Sequence, residues 1–184
     1  MRHLLAIAAA LVLFVLTVAL TGWADWQELR RGKNWNVTHS QQPEGELAGV
    51  RIFVDQGRAM ILPAAPERAI VYLRLGAQGD PQLMREWLGC DLGLTDGQGR
   101  KWLPLSNLAG IEIVRLLGDG SGTEPGCPQS LNLPPEDGSP SFSGQAFLVP
   151  AGVLDDLRVE LSGMATRPDA ISLPFRPVLQ PPPG

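Results

Sequence analysis

The sequence predicts an all-β fold, an antiparallel β-sandwich preceded by a single N-terminal transmembrane helix. Three observations lead to this prediction. An apolar run without charge or proline opens the chain at Leu4–Leu20. Beyond Leu47, roughly seven or eight short segments show the strand period of two, in which apolar and polar residues alternate. Glycine and proline, 21 and 17 of 184 residues, separate these segments and favour turns over long helices.

The opening segment has the length of a membrane anchor. Leu4–Trp23 holds about 20 residues, which as a helix span roughly 30 Å, the hydrocarbon thickness of a bilayer. A cleaved signal peptide has a shorter apolar region and a small-residue cleavage site. The tolerable site here, Gly22-Trp23-Ala24, has a bulky tryptophan at its centre, and Trp23 and Trp26 lie where an aromatic belt meets the headgroups. We therefore expect an uncleaved anchor in residues 1–24, with a cleaved signal as the alternative.

The orientation of the anchor rests on two opposing signals. Arg30, Arg31 and Lys33 follow the apolar run and favour a cytoplasmic C-terminal side. Long domains, however, are translocated largely regardless of charge, and a cysteine pair is typical of an oxidising compartment. We expect a single-pass protein of the cell inner membrane, with its C-terminal domain on the periplasmic or extracytoplasmic side.

Three further segments are predicted after the anchor. Residues 25–46 are polar and read as a juxtamembrane helix or linker, because Asp25 and Glu28 have the spacing of a helix cap. Residues 47–175 form the β-sandwich domain, and residues 176–184 a proline-rich, extended tail.

Within the sandwich the alternation predicts a series of strands and one short helix, Pro81–Leu88. A turn at Gln56–Arg58 separates the first two strands. The predicted strands are Val50–Val54, Ala59–Leu62, Ile70–Leu75, Ile111–Leu117, Gln145–Val149 and Leu157–Leu161, together with the two strands of a hairpin over Cys90–Leu103, and Ile171–Leu173 is an additional edge strand.

The Cys90–Leu103 hairpin carries the clearest turn signal. Asp96-Gly97 supplies residues suited to positive φ between two apolar alternations. Leu92 and Leu94 are expected to face the core.

The segment Leu92-Gly-Leu-Thr-Asp-Gly-Gln-Gly-Arg100, followed by Phe147-Leu-Val-Pro150 and the strand Leu157–Leu161, resembles the immunoglobulin-like sandwiches that lie behind membrane or lipoprotein anchors in bacteria. The resemblance covers Leu47–Leu161. It implies an immunoglobulin-like architecture and an envelope location, and it implies no reaction. The chain departs from the antibody pattern because Trp87 precedes both cysteines, so a Cys…Trp…Cys order is lacking.

Cys90 and Cys127 are the two cysteines of the chain. In an exported domain they predict a disulfide, which would contribute roughly 4 kcal/mol by closing a loop of about 38 residues. The alternative is a reduced pair in a cytoplasmic domain. Redox catalysis is disfavoured because Cys-x-x-Cys is absent, and a metal site because histidines do not accompany the cysteines.

The sequence predicts no catalytic site, no metal site and no cofactor. His39 is the only histidine beyond the first residues, and it falls in the predicted linker without a scaffold for a nucleophilic triad. Asp119–Glu124 superficially matches a calcium loop, but Glu124 stands where that loop needs glycine. The formal net charge of −4 argues against a nucleic-acid partner.

The leading functional hypothesis is an extracytoplasmic interaction or accessory module that contacts the bilayer through Leu4–Trp23 and a protein partner in or at the membrane. The expected binding surface is the long Gly118–Ser143 segment, read as an irregular loop, with the Asp96–Gly99 hairpin tip beside it. Its candidate contact residues are Asp119, Glu124, Glu136, Asp137 and Phe142.

Two alternatives come from other functional classes. One is a hydrolase of an envelope polymer that uses loop carboxylates such as Glu136-Asp137 or Asp155-Asp156. The other is a structural subunit of a membrane complex assembled through its transmembrane helix, in which Ala8–Ala10 would permit close helix approach.

Overall fold

The computed structural model divides the chain into two compact units, Met1–Trp35 and Asn36–Gly184. The residues that the structure describes are 11–19, 22–23, 34–106, 108–118 and 126–182.

In the first unit, residues 11–19 form helix α1. Of the helices that the structure describes, none is both long enough and apolar enough to cross a bilayer. Much of the predicted anchor, residues 1–10, 20–21 and 24, lies outside the described residues, and so does the predicted juxtamembrane segment as far as residue 33.

The second unit contains two β-sheets. The first sheet has the strand order β1-β9-β8-β5-β6. Strand β1 runs parallel to β9, and all other neighbouring strands of this sheet are antiparallel. The strands are β1 Asn36–His39, β5 Cys90–Thr95, β6 Lys101–Trp102, β8 Leu157–Gly163 and β9 Asp169–Phe175.

The second sheet has the order β10-β3-β4-β7, and β2 also pairs with β3. Two long antiparallel strands, β3 and β4, form its centre, and β10 runs parallel to β3 at one edge. The strands are β2 Glu44–Leu47, β3 Val50–Leu62, β4 Ala65–Gln78, β7 Ser141–Pro150 and β10 Val178–Leu179.

The main core lies between the two sheets and forms because inward positions are apolar on both. In β8, Leu157, Val159 and Leu161 are buried, while Arg158 and Glu160 point outward and stay partly exposed. Residues of the second sheet, including Val71 and Leu73, belong to the same core cluster. The two packed sheets confirm a sandwich-like fold, which is mostly β and not all-β as predicted, because the second unit also contains helices.

Helices complete the unit at its ends and on one outer face. Helix α2, Pro81–Glu86, confirms the predicted short helix, and the Asp80 carboxylate caps its first turn. Helix α3, Leu108–Leu117, packs on the outer face of the second sheet, where Leu117 contacts a small cluster of Met60, Ile70 and Tyr72. Helix α4 is Cys127–Asn132, and a 3₁₀ helix spans Ala151–Asp156.

The prediction of a strand at Ile111–Leu117 was wrong, because these residues belong to helix α3. The segment matches both periods: Ile111 and Ile113 flank Glu112, but Ile113, Val114 and Leu117 also have helical spacing. The helical set packs against the second sheet, and Ile111 stays exposed.

The predicted turn at Gln56–Arg58 is also wrong, since β3 continues through it. A register shift between Val54 and Gln56 marks a bulge in the β3–β4 pairing. Gly57 is required because a Cβ there would lie 2.3 Å from the Phe175 ring. A glycine inside a strand here marks a bulge and a close approach rather than a turn.

Three boundaries differ from the predictions. The predicted linker at residues 25–46 contains β1 and most of β2, so the sheets begin at Asn36, and His39 is an exposed residue of β1. Strand β9, predicted at an edge, lies between β1 and β8. The predicted tail contains β10, where the Gln180 N–H donates to the Ala59 carbonyl at 2.7 Å.

The Cys90–Leu103 hairpin is confirmed as β5 and β6, with Leu92 and Leu94 buried. Its positive φ falls on Gly99, at +76°, and not on Asp96 or Gly97.

Candidate functional site

Three neighbouring strands bring two phenylalanines together on the outer face of the second sheet. Phe53 of β3 is in register with Gly76 of β4, and Gly76 is in register with Phe142 of β7. Paired residues of adjacent strands point to the same face of a sheet. The two rings therefore share one row, with a glycine between them.

The rings of Phe53 and Phe142 meet edge to face, with centroids 6.1 Å apart and planes at 90°. Gly76 permits this contact: a Cβ there would lie 2.2 Å from Cζ of Phe53. Such aromatic pairs add about 0.5–1.5 kcal/mol beyond the burial of their area. Any side chain at position 76 would separate the rings.

Two arginines lie over these rings. The Arg74 guanidinium carbon is 4.2 Å from the Phe142 centroid, and that of Arg51 is 5.0 Å from the Phe53 centroid. We call Arg51, Phe53, Arg74 and Phe142 the aromatic–arginine cluster. An arginine held over a ring has fewer accessible conformations to lose when it meets a partner.

Each arginine of the cluster also has an acidic neighbour. Arg74 donates to Asp55 at 2.8 Å, and the Arg51 Nε donates to Glu44 at 3.1 Å. The cluster with its two acids is thus formally neutral. Arg51 is the more accessible cation, since its side chain is 54% exposed against 22% for Arg74.

The cluster occupies the part of this face that α3 leaves open. Helix α3 covers the neighbouring rows, where Tyr72 is fully buried. Phe53 and Phe142 instead remain half-buried. Because two large aromatic rings in contact with two arginines lie partly in solvent on this face, the cluster is the best candidate interaction surface of the second unit.

The predicted contact residues have different outcomes. Asp119 and Glu124 lie outside the described residues. Glu136 is exposed and pairs with Arg85 of α2. Phe142 belongs to β7 and not to a loop, and it is the predicted residue that takes part in the cluster.

Asp137 has a local structural role. Its carboxylate accepts a hydrogen bond from the Ser139 N–H at 3.0 Å. Hydrogen bonds from Ser139 hold the pKa of the Asp137 carboxyl below its usual value.

The segment Gly118–Ser143 is more ordered than the predicted irregular loop, because it contains α4 and the start of β7. The predicted disulfide is confirmed: Cys90 and Cys127 are bonded, with Cα atoms 6.0 Å apart, and both are buried. The bond fixes the start of α4 to the start of β5.

The Asp96–Gly99 hairpin tip lies at the opposite end of β5 from the disulfide that holds α4, so it is not beside the start of that helix. The tip follows Thr95, the last residue of β5, whereas the disulfide joins α4 to Cys90, the first residue of β5. With the usual rise per residue of a strand, these two ends of β5 are about 17 Å apart. The tip instead contacts the 3₁₀ helix, where the Asp156 carboxylate accepts a hydrogen bond from the Gly97 N–H at 2.9 Å.

Asp96 holds the hairpin tip together. Its carboxylate accepts hydrogen bonds from the backbone N–H groups of Gln98 and Arg100 and pairs with the Arg100 side chain at 2.6 Å. Burial raises the pKa of Asp96. The hydrogen bonds and the Arg100 charge together lower it by more than burial raises it, so the pKa lies below its ordinary value. This arrangement stabilises a turn.

At least one member of each carboxylate pair considered for hydrolysis has a structural partner. Asp156 receives the Gly97 N–H, and Glu136 pairs with Arg85. Within the described ranges, no group of three or more His, Cys, Asp or Glu side chains is placed to hold a metal ion.

Arg58 stabilises the end of helix α3. Its guanidinium donates to the carbonyls of Leu117 and Gly118, both at 2.8 Å. A cation at a helix C-terminus satisfies free carbonyls and interacts favourably with the helix dipole. Arg58 also lines a surface groove of about 190 Å³ with Met60, Leu116, Leu117, Gln180 and Pro181.

No family model and no curated protein matches the chain. Among solved structures it is similar to a candidate lipoprotein from Staphylococcus aureus subsp. aureus NCTC 8325, with 7% identity and a TM-score of 0.40, over 80% of this chain and 99% of that one. It is also similar to an uncharacterised β-sandwich protein from Clostridium difficile 630, with 9% identity and a TM-score of 0.34, over 77% of this chain and 97% of that one.

Sequence reasoning missed three members of the cluster, Arg51, Phe53 and Arg74. The alternation places each of them in a strand, but which residues face each other depends on register, and Phe53 and Phe142 are far apart in the chain. In the sequence pattern Gly76 looks like the start of a loop. A glycine at the end of a strongly alternating strand is a weak signal that a large side chain from a neighbouring strand lies over the glycine.

Proposed function

We propose that this chain is a single-pass, membrane-anchored module of the extracytoplasmic side, which binds a protein partner in or at the membrane through the aromatic–arginine cluster. The observation that carries the proposal is the half-buried Phe53–Phe142 pair on the part of the second sheet that α3 leaves open.

The composition of the cluster fits a protein partner. Aromatic residues and arginine are enriched at the centres of protein interfaces and among the residues that dominate binding energy. The rings and guanidinium groups already contact one another, so binding immobilises few new rotamers. The acids Asp55 and Glu44 balance the arginines, which favours a protein surface with charges of both signs over a polyanion.

Two features support the proposed location. The apolar run Leu4–Trp23 has the length of a bilayer span. The Cys90–Cys127 disulfide is of a kind that forms and persists in oxidising compartments. Together they favour a domain held at the outer side of the cytoplasmic membrane.

The immunoglobulin-like assignment is part of the proposal. Two packed sheets with mostly antiparallel neighbours support it. The chain differs from antibody-type domains in the parallel pairs β1–β9 and β3–β10 and in a disulfide that joins β5 to α4. In antibody domains the disulfide joins the two sheets.

Quantitative co-purification from detergent-solubilised membranes tests the binding surface. We expect proteins retained by the wild type to be lost with Phe53→Ser/Phe142→Ser and with the milder Arg51→Glu. Trp102→Ser is the matched control, because Arg100 lies 5.6 Å from that ring on the other sheet. If all variants retain the same proteins, the cluster is not the binding surface.

Thiol alkylation tests the proposed compartment. Cys90 and Cys127 should react with an alkylating reagent only after reduction, and labelling in intact cells without reduction would contradict the extracytoplasmic location.

A further inference from the structure

One end of the sandwich carries exposed apolar side chains that the fold does not use. Strand β5 begins there at Cys90, paired with Gly163 at the end of β8, and β9 begins there at Asp169. Strand β1, parallel to β9, begins at the same end with Asn36. We call it the proximal end, because the chain enters the sandwich at this point.

Leu88 and Met164 protrude at the proximal end. The two residues are 69% and 53% exposed. Two backbone hydrogen bonds hold their segments side by side, from the Met164 N–H to the Gly89 carbonyl and from the Ala165 N–H to the Trp87 carbonyl, both at 3.2 Å. Leu88 and Met164 thus lie on adjoining segments of the surface.

The backbone of Leu88 has a φ of +58°, in the left-handed region. Leu88 follows the C-cap residue Trp87 of helix α2, a position where glycine or asparagine usually adopts this conformation. Leucine is strained there and contributes almost nothing to the core, since its neighbour Trp87 provides the burial. A strained and exposed leucine indicates a role in contact with something outside the fold.

The position of this pair suggests what that contact is. The Asn36 N–H donates to the Pro168 carbonyl, so β1 starts beside the turn that contains Met164. Residues 24–35 connect the proposed anchor to this point, and about a dozen residues span at most about 45 Å even when fully extended. The proximal end is therefore the end tethered to the proposed bilayer span.

The charges around the pair distinguish between lipid types. Arg167 pairs with Asp91 and Arg85 with Glu136, so these two cations are compensated. Glu86 and Asp169 are also exposed at this end, and neither Arg85 nor Arg167 is paired with them. Among the described residues at this end the charge is thus net negative, which disfavours an anionic lipid surface and is compatible with zwitterionic headgroups.

We infer that Leu88 and Met164 insert into the headgroup–acyl boundary of the bilayer and seat the proximal end on a zwitterionic lipid surface. This inference rests on the proposed membrane anchor. Two apolar side chains give only weak membrane binding by themselves, but a covalent tether makes the contact intramolecular and raises its effective concentration. The contact would orient the sandwich, with the hairpin tip at Asp96–Gly99 pointing away from the lipid.

Depth-dependent fluorescence quenching tests this contact. The full chain is reconstituted in phosphatidylcholine vesicles that contain a nitroxide-labelled lipid, with an environment-sensitive fluorophore on Met164→Cys or, as control, on Gln98→Cys. The native cysteines are bonded, so labelling is confined to the new thiol. We expect a blue shift and nitroxide quenching for the label at 164 and neither for the label at 98.

A second variant separates membrane contact from folding. Leu88→Asn suits the left-handed backbone and should fold at least as well, yet it should lower quenching at 164 by roughly twofold because it removes apolar area. Replacing part of the phosphatidylcholine by phosphatidylglycerol at low salt should also lower it.

Failure of the inference and failure of the anchor give different results. If alkaline carbonate extracts the chain, the proposed anchor is refuted and this inference falls with it. If the chain is retained but the labels at 164 and 98 are equally unquenched, only the inference is overturned. Protection of the 164 label in native membranes without quenching in lipid vesicles would assign the proximal end to a protein contact instead.

Discussion

The rings of Phe53 and Phe142 meet edge to face with centroids 6.1 Å apart, although strand β4 separates their strands. The contact passes over Gly76, whose missing side chain leaves the space. Two arginines cover the outer faces of the rings. Aromatic rings and arginines are the side chains that most often dominate protein binding, and here their contacts with one another already fix their conformations.

Gly76→Ala should disrupt the cluster without adding charge. The new Cβ would lie 2.2 Å from Cζ of Phe53, so the ring must move, and we expect a loss of about 1–3 kcal/mol in unfolding free energy. Urea denaturation measures the change. Gly152→Ala is the control, since no atom lies within 4 Å of the position that its new Cβ would take, and it should stay within about 0.5 kcal/mol. Equal effects would show that the ring contact does not depend on Gly76.

Removing the disulfide should cost much of the stability of the second unit. Cys90 and Cys127 are 37 positions apart in sequence, and for a closed loop of this length the chain-entropy treatment gives about 4 kcal/mol. The Cys90→Ala/Cys127→Ala double variant should therefore unfold at a markedly lower urea concentration than the oxidised wild type. A midpoint that reduction leaves unchanged would argue that the bond is dispensable for folding.

Arg58→Met should destabilise the end of helix α3. It removes two charge-assisted hydrogen bonds to the Leu117 and Gly118 carbonyls, at an expected cost of about 1.5–3 kcal/mol. Arg115→Met is the matched control on the same helix, because its pair with Glu112 is exposed and worth at most about 0.5 kcal/mol. Amide hydrogen exchange of α3 should accelerate with the first variant only.

The Asp96 turn should give the chain an acid-sensitive step. Because its folded pKa lies below the ordinary value of 3.8, the unfolded state binds this proton first. The stabilisation is fully present above about pH 4 and is lost as pH falls through the folded pKa. Asp96→Asn should lower the melting temperature at pH 7 and weaken its decline as the pH falls below about 4. A decline as steep as that of the wild type would assign the acid sensitivity to other groups.

The sequence was sufficient for features that depend on local pattern. Leu157, Val159 and Leu161 alternate with charged residues, and burial between two sheets follows from that period. The Cys90–Cys127 pair was predictable because the chain has two cysteines and an apolar N-terminal run. Both inferences need only neighbouring residues or a count.

Features that depend on tertiary contacts were not predictable. The stretch Ile111–Leu117 satisfies a strand period and a helix period, and packing of Ile113 and Leu117 on the second sheet decides for the helix. Gly57 resembles a turn residue until Phe175 is placed against it. The aromatic–arginine cluster depends on the register of three strands, which a single sequence does not determine.

Photo-crosslinking in intact membranes tests whether the aromatic–arginine cluster is a protein-binding surface. A benzophenone amino acid replaces Phe142 in the full chain, and a second chain carries it at Gln98 on the hairpin tip. We predict a discrete crosslinked protein from position 142 that is absent from position 98 and lost when Arg51→Glu is added. Crosslinks from both positions to the same proteins, or none from position 142 while the anchored chain is folded, would contradict the account.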